Sequence, residues 1–143
     1  QRPCHQDQGR QRHLQPRAER AAEKDPTSFE AVNNLAGAYL AKNDFDNAVV
    51  YFTKAVTIEP KNLTAKLNLA KAYASAGQYD SAKTSFTEIL QKDNKNWEAY
   101  LELAKVCIAL KENDKAEGYL ITLQEKNPSY KASEVASLLL SIK

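Results

Sequence analysis

Methionine is absent from this 143-residue chain, and cysteine, glycine and tryptophan are scarce, at two, four and one. Two cysteines, Cys4 and Cys107, build no disulfide framework, because small stapled domains use more of them at closer spacing. The redox compartment stays open. Few glycines and five prolines, beside 43% apolar and 27% charged residues, exclude collagen-like and wholly disordered classes and suit a helical globular chain. No charge-free apolar run approaches the roughly 18 residues that span a bilayer, so no membrane span is expected. The start also lacks the apolar stretch of a signal peptide and the initiating methionine, and is expected to be a processed or trimmed end. A cytoplasmic setting is favoured, with an exported one left open.

The elements of catalysis are missing as well. There is no glycine-rich phosphate loop, no HExxH, and no Ser, His and Asp set in the main part of the chain. Cys4, His5 and His13 are ligand types that zinc accepts, but a structural site wants four and nothing completes the set, so they read as a solvated tail with no metal and no cofactor. The net charge of +2 is uneven: residues 1–24 carry six Lys or Arg against Asp7, Glu19 and Glu23, a surplus of +3, which leaves the rest at −1. Without a basic stripe along the remainder, no nucleic-acid surface is expected.

What the chain does have is a repeat. Leu35-Ala36-x-x-Tyr39 recurs as Leu69-Ala70-x-x-Tyr73 and as Leu103-Ala104-x-x-Cys107, each step being 34 residues. Ala48 and Phe52 recur as Ala82 and Phe86, then Ala116 and Leu120, while Pro26, Pro60, Asn94 and Pro128 mark linkers at the same step. Within 29–41, Val32, Leu35, Ala36 and Tyr39 fall at i, i+3, i+4 and i+7, the period of an amphipathic helix. A second helix is predicted over about 45–58, with Ala48, Phe52 and Ala55 on one face. Alanines at 36 and 48 let two backbones approach, and Tyr39 and Phe52 fill the space around them. Thr27 with Glu30 reads as a capping box, Asn62, Asn96 and Ser129 as later caps, and Gly77 as a left-handed helix end. Cys107 falls where the pattern wants a buried aromatic and is expected to be an inert packed thiol.

The pattern resembles the tetratricopeptide repeat family. Residues 29–62 match it most fully; 63–96 depart at Lys66, Ile89 and Asn94, and 97–130 at Cys107 and Leu123. The resemblance implies an all-α, right-handed α-solenoid of helix-turn-helix repeats: a basic, loosely ordered segment over 1–17, a helical remnant over 18–28, three repeats, and a C-terminal capping helix over 131–143. It further implies no catalysis, and a role as an adaptor or scaffold that binds a peptide or helix of another protein in the groove lined by the first helices. Residues there that miss the core pattern are Asn33, Asn34, Gly37, Asn68, Lys71, Glu98, Glu102 and Lys105, with Leu67 and Leu101 among their neighbours. Asparagine amides suit an extended backbone, which they can both donate to and accept from, and Lys71 and Lys105 could hold an acidic group. The clamp with which some members grip acidic chaperone tails is matched by Asn68 alone. Asn33 and Gly37 replace its lysine and asparagine, and Glu98 and Glu102 would repel such a tail.

At the C-terminal end, Val135, Leu138, Leu139 and Ile142 form an apolar stripe, read as a cap on the last repeat or as a self-association surface that gives a homo-oligomer. Adjacent Leu138 to Leu140 cannot all point inward. A regulatory fragment of a longer protein is the remaining reading.

Overall fold

The structure, a computed structural model, describes residues 14–142, with side chains from Arg17 onward. Cys4, His5 and His13, and most of the segment expected to be loosely ordered, lie outside the described residues. Among those described there are eight helices and no strand: α1 (Leu14–Lys24), α2 (Phe29–Ala41), α3 (Phe45–Ile58), α4 (Leu63–Ser75), α5 (Tyr79–Lys92), α6 (Trp97–Ala109), α7 (Asn113–Lys126) and α8 (Ala132–Ser141). The first starts ahead of the remnant expected from 18. The chain forms two compact units, residues 1–72 and 73–143, divided inside α4.

In the first unit α2 packs on α3, with Ala36 and Ala48 wholly buried and Phe52 beside them. Ala72 joins this core, and Tyr39, Leu40, Val49, Tyr51 and Leu69 close around it. The rings of Tyr39 and Tyr51 stack with centroids 5.4 Å apart. Helix α1 packs on α2, and the Tyr39 hydroxyl donates to Glu19 Oε1 at 3.3 Å. In the second unit α6 is the central helix, burying Ala99, Leu101, Leu103, Ala104, Val106 and Cys107 between its neighbours α5 and α7. These contribute Ala82, Phe86 and Ile89 from one side and Ala116, Leu120 and Leu123 from the other. Cys107 has no exposed surface, and burial pushes its thiol up, as an inert packed cysteine requires. Helix α8 packs on α7 and buries only Val135.

The helix starts follow the expected chemistry with two corrections. Asn62 and Asn96 accept from the amides of Ala65 and Ala99, each at 3.1 Å, as N-caps do. For α2 the cap is Ser28, whose Oγ accepts from Ala31 N–H at 3.3 Å, and not Thr27. Thr27 instead donates its hydroxyl to Asp25 Oδ1 at 2.6 Å, and with the cap one residue later Glu30 is out of step for a capping box. Ser129 caps nothing: its hydroxyl donates to Asn127, and α8 begins after Lys131, which is left-handed at φ +42°.

The turns between paired helices share one design. In each, the amide three residues past the helix end reaches back five residues: Asp44 to Tyr39 O, Gln78 to Tyr73 O and Glu112 to Cys107 O, at 2.9, 2.8 and 2.8 Å. The residue before it is left-handed and bonds three residues back, the Schellman arrangement. Those residues are Asn43, Gly77 and Lys111, at φ +63°, +80° and +66°. Glycine meets this demand freely and asparagine tolerates it, but lysine carries a Cβ that the left-handed region penalises.

Glu112 stands in the last of these turns without capping α7. Its carboxylate takes Lys83 Nζ from α5 at 2.6 Å and Lys115 Nζ at 3.2 Å. Those two partners hold the Glu112 carboxyl below the usual carboxylate range.

Lys111→Gly relieves the left-handed penalty of about 1–2 kcal/mol at an entropic cost of about half that, so the urea midpoint rises by the equivalent of about 0.5–1 kcal/mol; a fall would contradict the strain. A depressed carboxyl stabilises fully above its ordinary pKa, about 4.3, and loses that contribution as pH drops through the folded value. The urea midpoint therefore declines on acidification from pH 5 to 2, and less steeply in Glu112→Gln, which has no carboxyl to protonate.

Candidate functional site

Helix α2 presents Asn33, Asn34 and Gly37 on consecutive turns of one side, and α4 presents Asn68 and Lys71. Asn34 is exposed, and Asn33, Gly37, Asn68 and Lys71 are half-buried. A Cβ added at Gly37 meets nothing within 4 Å. Packing does not demand glycine there, and the residue leaves open space beside the asparagines. Asn33 differs from its neighbours because its Oδ1 is shielded from solvent and accepts no hydrogen bond among the described residues.

The repeat explains why that oxygen is shielded. Residues 33, 67, 101 and 135 occupy one step of the pattern, and the other three are apolar: Leu67, Leu101 and Val135 are exposed by 9%, 0% and 1%. The step therefore faces the packing between helices. The sequence reading that set Leu67 and Leu101 along a groove is corrected, because an apolar side chain at this step is drawn into the core. Asn33 is the polar exception at a core step. A lone asparagine at a step otherwise filled by leucine and valine was visible in the sequence, but only once the step is known to be buried.

In the second unit Glu98, Glu102 and Lys105 lie half-buried on α6. The structure gives Lys105 two partners: Glu134 Oε1 of α8 at 2.9 Å and Glu102 Oε1 on its own helix at 3.4 Å. Partial burial pulls the Lys105 ammonium down, but the carboxylates of Glu134 and Glu102 outweigh it and leave its pKa raised. Lys105 in turn holds the Glu134 carboxyl below its ordinary range. The ammonium that the sequence offers as an anchor for an acidic ligand is thus already shared by two carboxylates. Glu134, the residue that changes this, belongs to a helix read only for its apolar stripe.

That stripe is divided. Val135 is buried, Leu138, Leu139 and Ile142 are half-buried, and Leu140, outside the stripe, is 75% exposed. Where a first helix carries leucine, a small residue and tyrosine to receive its second helix, α8 has Ser137, Leu138 and Ser141, and the Ser141 hydroxyl donates to its own Leu138 O. This is the face of a covering helix. Among the described residues no group of three His, Cys, Asp or Glu is placed to hold a metal, and no helix is long and apolar enough to cross a membrane.

Solved structures share this arrangement. The chain is similar to the TPR domain of Arabidopsis OM64, at 20% identity over 80% of this chain and 93% of that one, with a TM-score of 0.72. It is similar to the TPR2B domain of yeast Sti1, solved in complex with pHsp70, at 25% identity over 80% and 94% and a TM-score of 0.72. The Yersinia enterocolitica type III secretion chaperone SycD, solved with a peptide of the translocator YopD, matches at 22% identity over 79% and 90%, again with a TM-score of 0.72. No curated protein sequence matches the chain. The sequence profile of the tetratricopeptide repeat matches residues 39–85 and 75–142, most of the helical pairs described above. With helices paired as the 34-residue step requires, and the α-solenoid class found again in these solved structures, the chain belongs to the tetratricopeptide repeat family.

Proposed function

We propose that this chain is a protein-interaction adaptor without catalytic activity, holding an extended segment of a partner protein against the polar side of α2. Asn33 carries the proposal. A shielded carbonyl oxygen without a donor costs roughly 1–3 kcal/mol, and a backbone N–H of a bound segment is the donor that would satisfy it. Gly37 supports the reading. In the interior of α2 it costs about 0.5–1 kcal/mol relative to alanine, and the space it leaves lies one turn from Asn33. Exposed Asn34 adds an amide able to donate and accept toward such a segment. Asn68 and Lys71 extend the proposed contacts on α4. The peptides held by Sti1 and SycD support protein segments as the ligand class. Glu98 and Glu102 set this chain apart from a binder of acidic tails, and with Lys105 neutralised by Glu102 and Glu134 the second unit offers such a tail no cation at that position.

Self-association is a second reading, supported by Leu140, which is mostly exposed near the end of α8. Its occupant would be another copy of the chain. If Leu140 mediates it, light scattering over a concentration series shows an oligomer that Leu140→Ser converts to monomer; a monomer throughout removes this reading.

The adaptor reading predicts opposite effects at one residue. Asn33→Leu, the residue found at the same step in α4 and α6, removes the unsatisfied oxygen and raises the unfolding free energy by about 1 kcal/mol. The same change lowers the amount of partner recovered on an immobilised chain by tenfold or more. Thermal melts and quantitative pull-down measure the two. Higher stability with undiminished recovery assigns Asn33 no part in binding.

A further inference from the structure

Helix α8 is held differently from every other helix of the second unit. Val135 is its one buried side chain. Like α5 and α7 it begins without a side-chain cap, but in this unit it alone starts straight after a left-handed residue, Lys131, in a conformation that lysine adopts at a cost. What ties it across to α6 is the ion pair from Glu134 to Lys105, with both side chains about 40% exposed. Lys105 is also in reach of Glu102, so either carboxylate can keep the ammonium occupied.

We infer that α8 is a strap, hinged at Lys131 and fastened to α6 by the Lys105–Glu134 pair, which opens while α6 and α7 stay folded. Leu101, Leu103, Leu120 and Leu123 are all fully buried on helices that pack on one another. Opening moves Glu134 away from Lys105, leaves that ammonium to Glu102 alone, and turns Val135 out to water. The charge that α6 presents therefore differs between the open and the closed strap.

Amide hydrogen exchange on the whole chain tests the strap without a partner, so its failure is separate from failure of the adaptor reading. An exposed ion pair of this kind is worth about a two- to five-fold change in an equilibrium. Glu134→Gln should lower protection of the α8 amides by that factor while leaving α6 and α7 unchanged. Lys105→Gln should lower it further, because Glu102 and Glu134 then face each other without a cation. Sodium chloride at about 1 M, which shrinks the screening length to about 3 Å, should bring the unaltered chain toward the Glu134→Gln value. Unchanged α8 protection in Glu134→Gln overturns the fastening. Protection lost from α6 and α7 in step with α8 overturns the strap, since the pair would then stabilise the unit as a whole.

Discussion

Everything in this structure depends on how closely two helices of a pair can approach. Ala36 and Ala48 in the first unit, and Ala82, Ala104 and Ala116 in the second, have no exposed surface at all. An alanine at the crossing sets the distance between backbones, and that distance decides whether Phe52 and Phe86 fill the neighbouring space or are forced out of it. Small residues at the crossing thus come first, and large ones are fitted around them. A larger side chain at any of these five buried positions would have to push the paired helices apart.

The polar features are arranged around that constraint and differ between the units. The first unit spends a core step on Asn33, leaving a carbonyl shielded and unsatisfied. The second fills the same step with Leu101 and Val135 and places its polar interactions at its margins, Glu112 with Lys83 in the turn before α7 and Lys105 with Glu134 between α6 and α8. These margin pairs are partly exposed, and such pairs contribute little to overall stability. Their effect is local: they fix where a turn or a terminal helix rests.

Much of the helical frame was legible in the residues. Both helices of the 29–62 stretch have the limits that their apolar period gives, and Gly77 ends its helix left-handed as expected. The capping of α2 was misread because Thr27 and Ser28 are both capping residues, and only backbone geometry tells which one stands at the helix start. Asn43 and Lys111 were missed as left-handed positions because neither is glycine, although both lie one repeat from Gly77. The candidate site was less legible. Leu67 and Leu101 looked like groove residues from register alone, but register around a helix does not tell how far a neighbouring helix covers it. The pairing of Lys105 with Glu134 joins residues 29 apart on different helices, which no local pattern reports.

A single tryptophan gives one of the two units an optical signal of its own. Trp97 is the only tryptophan, and it stacks against Tyr100 in the second unit with ring centroids 6.0 Å apart. The stacked rings of Tyr39 and Tyr51 belong to the first. Indole emission therefore belongs to one half of the molecule, while helical backbone ellipticity arises in both. Comparing the two signals along a single denaturation curve shows whether the halves melt together or in turn, with no label attached and no residue changed.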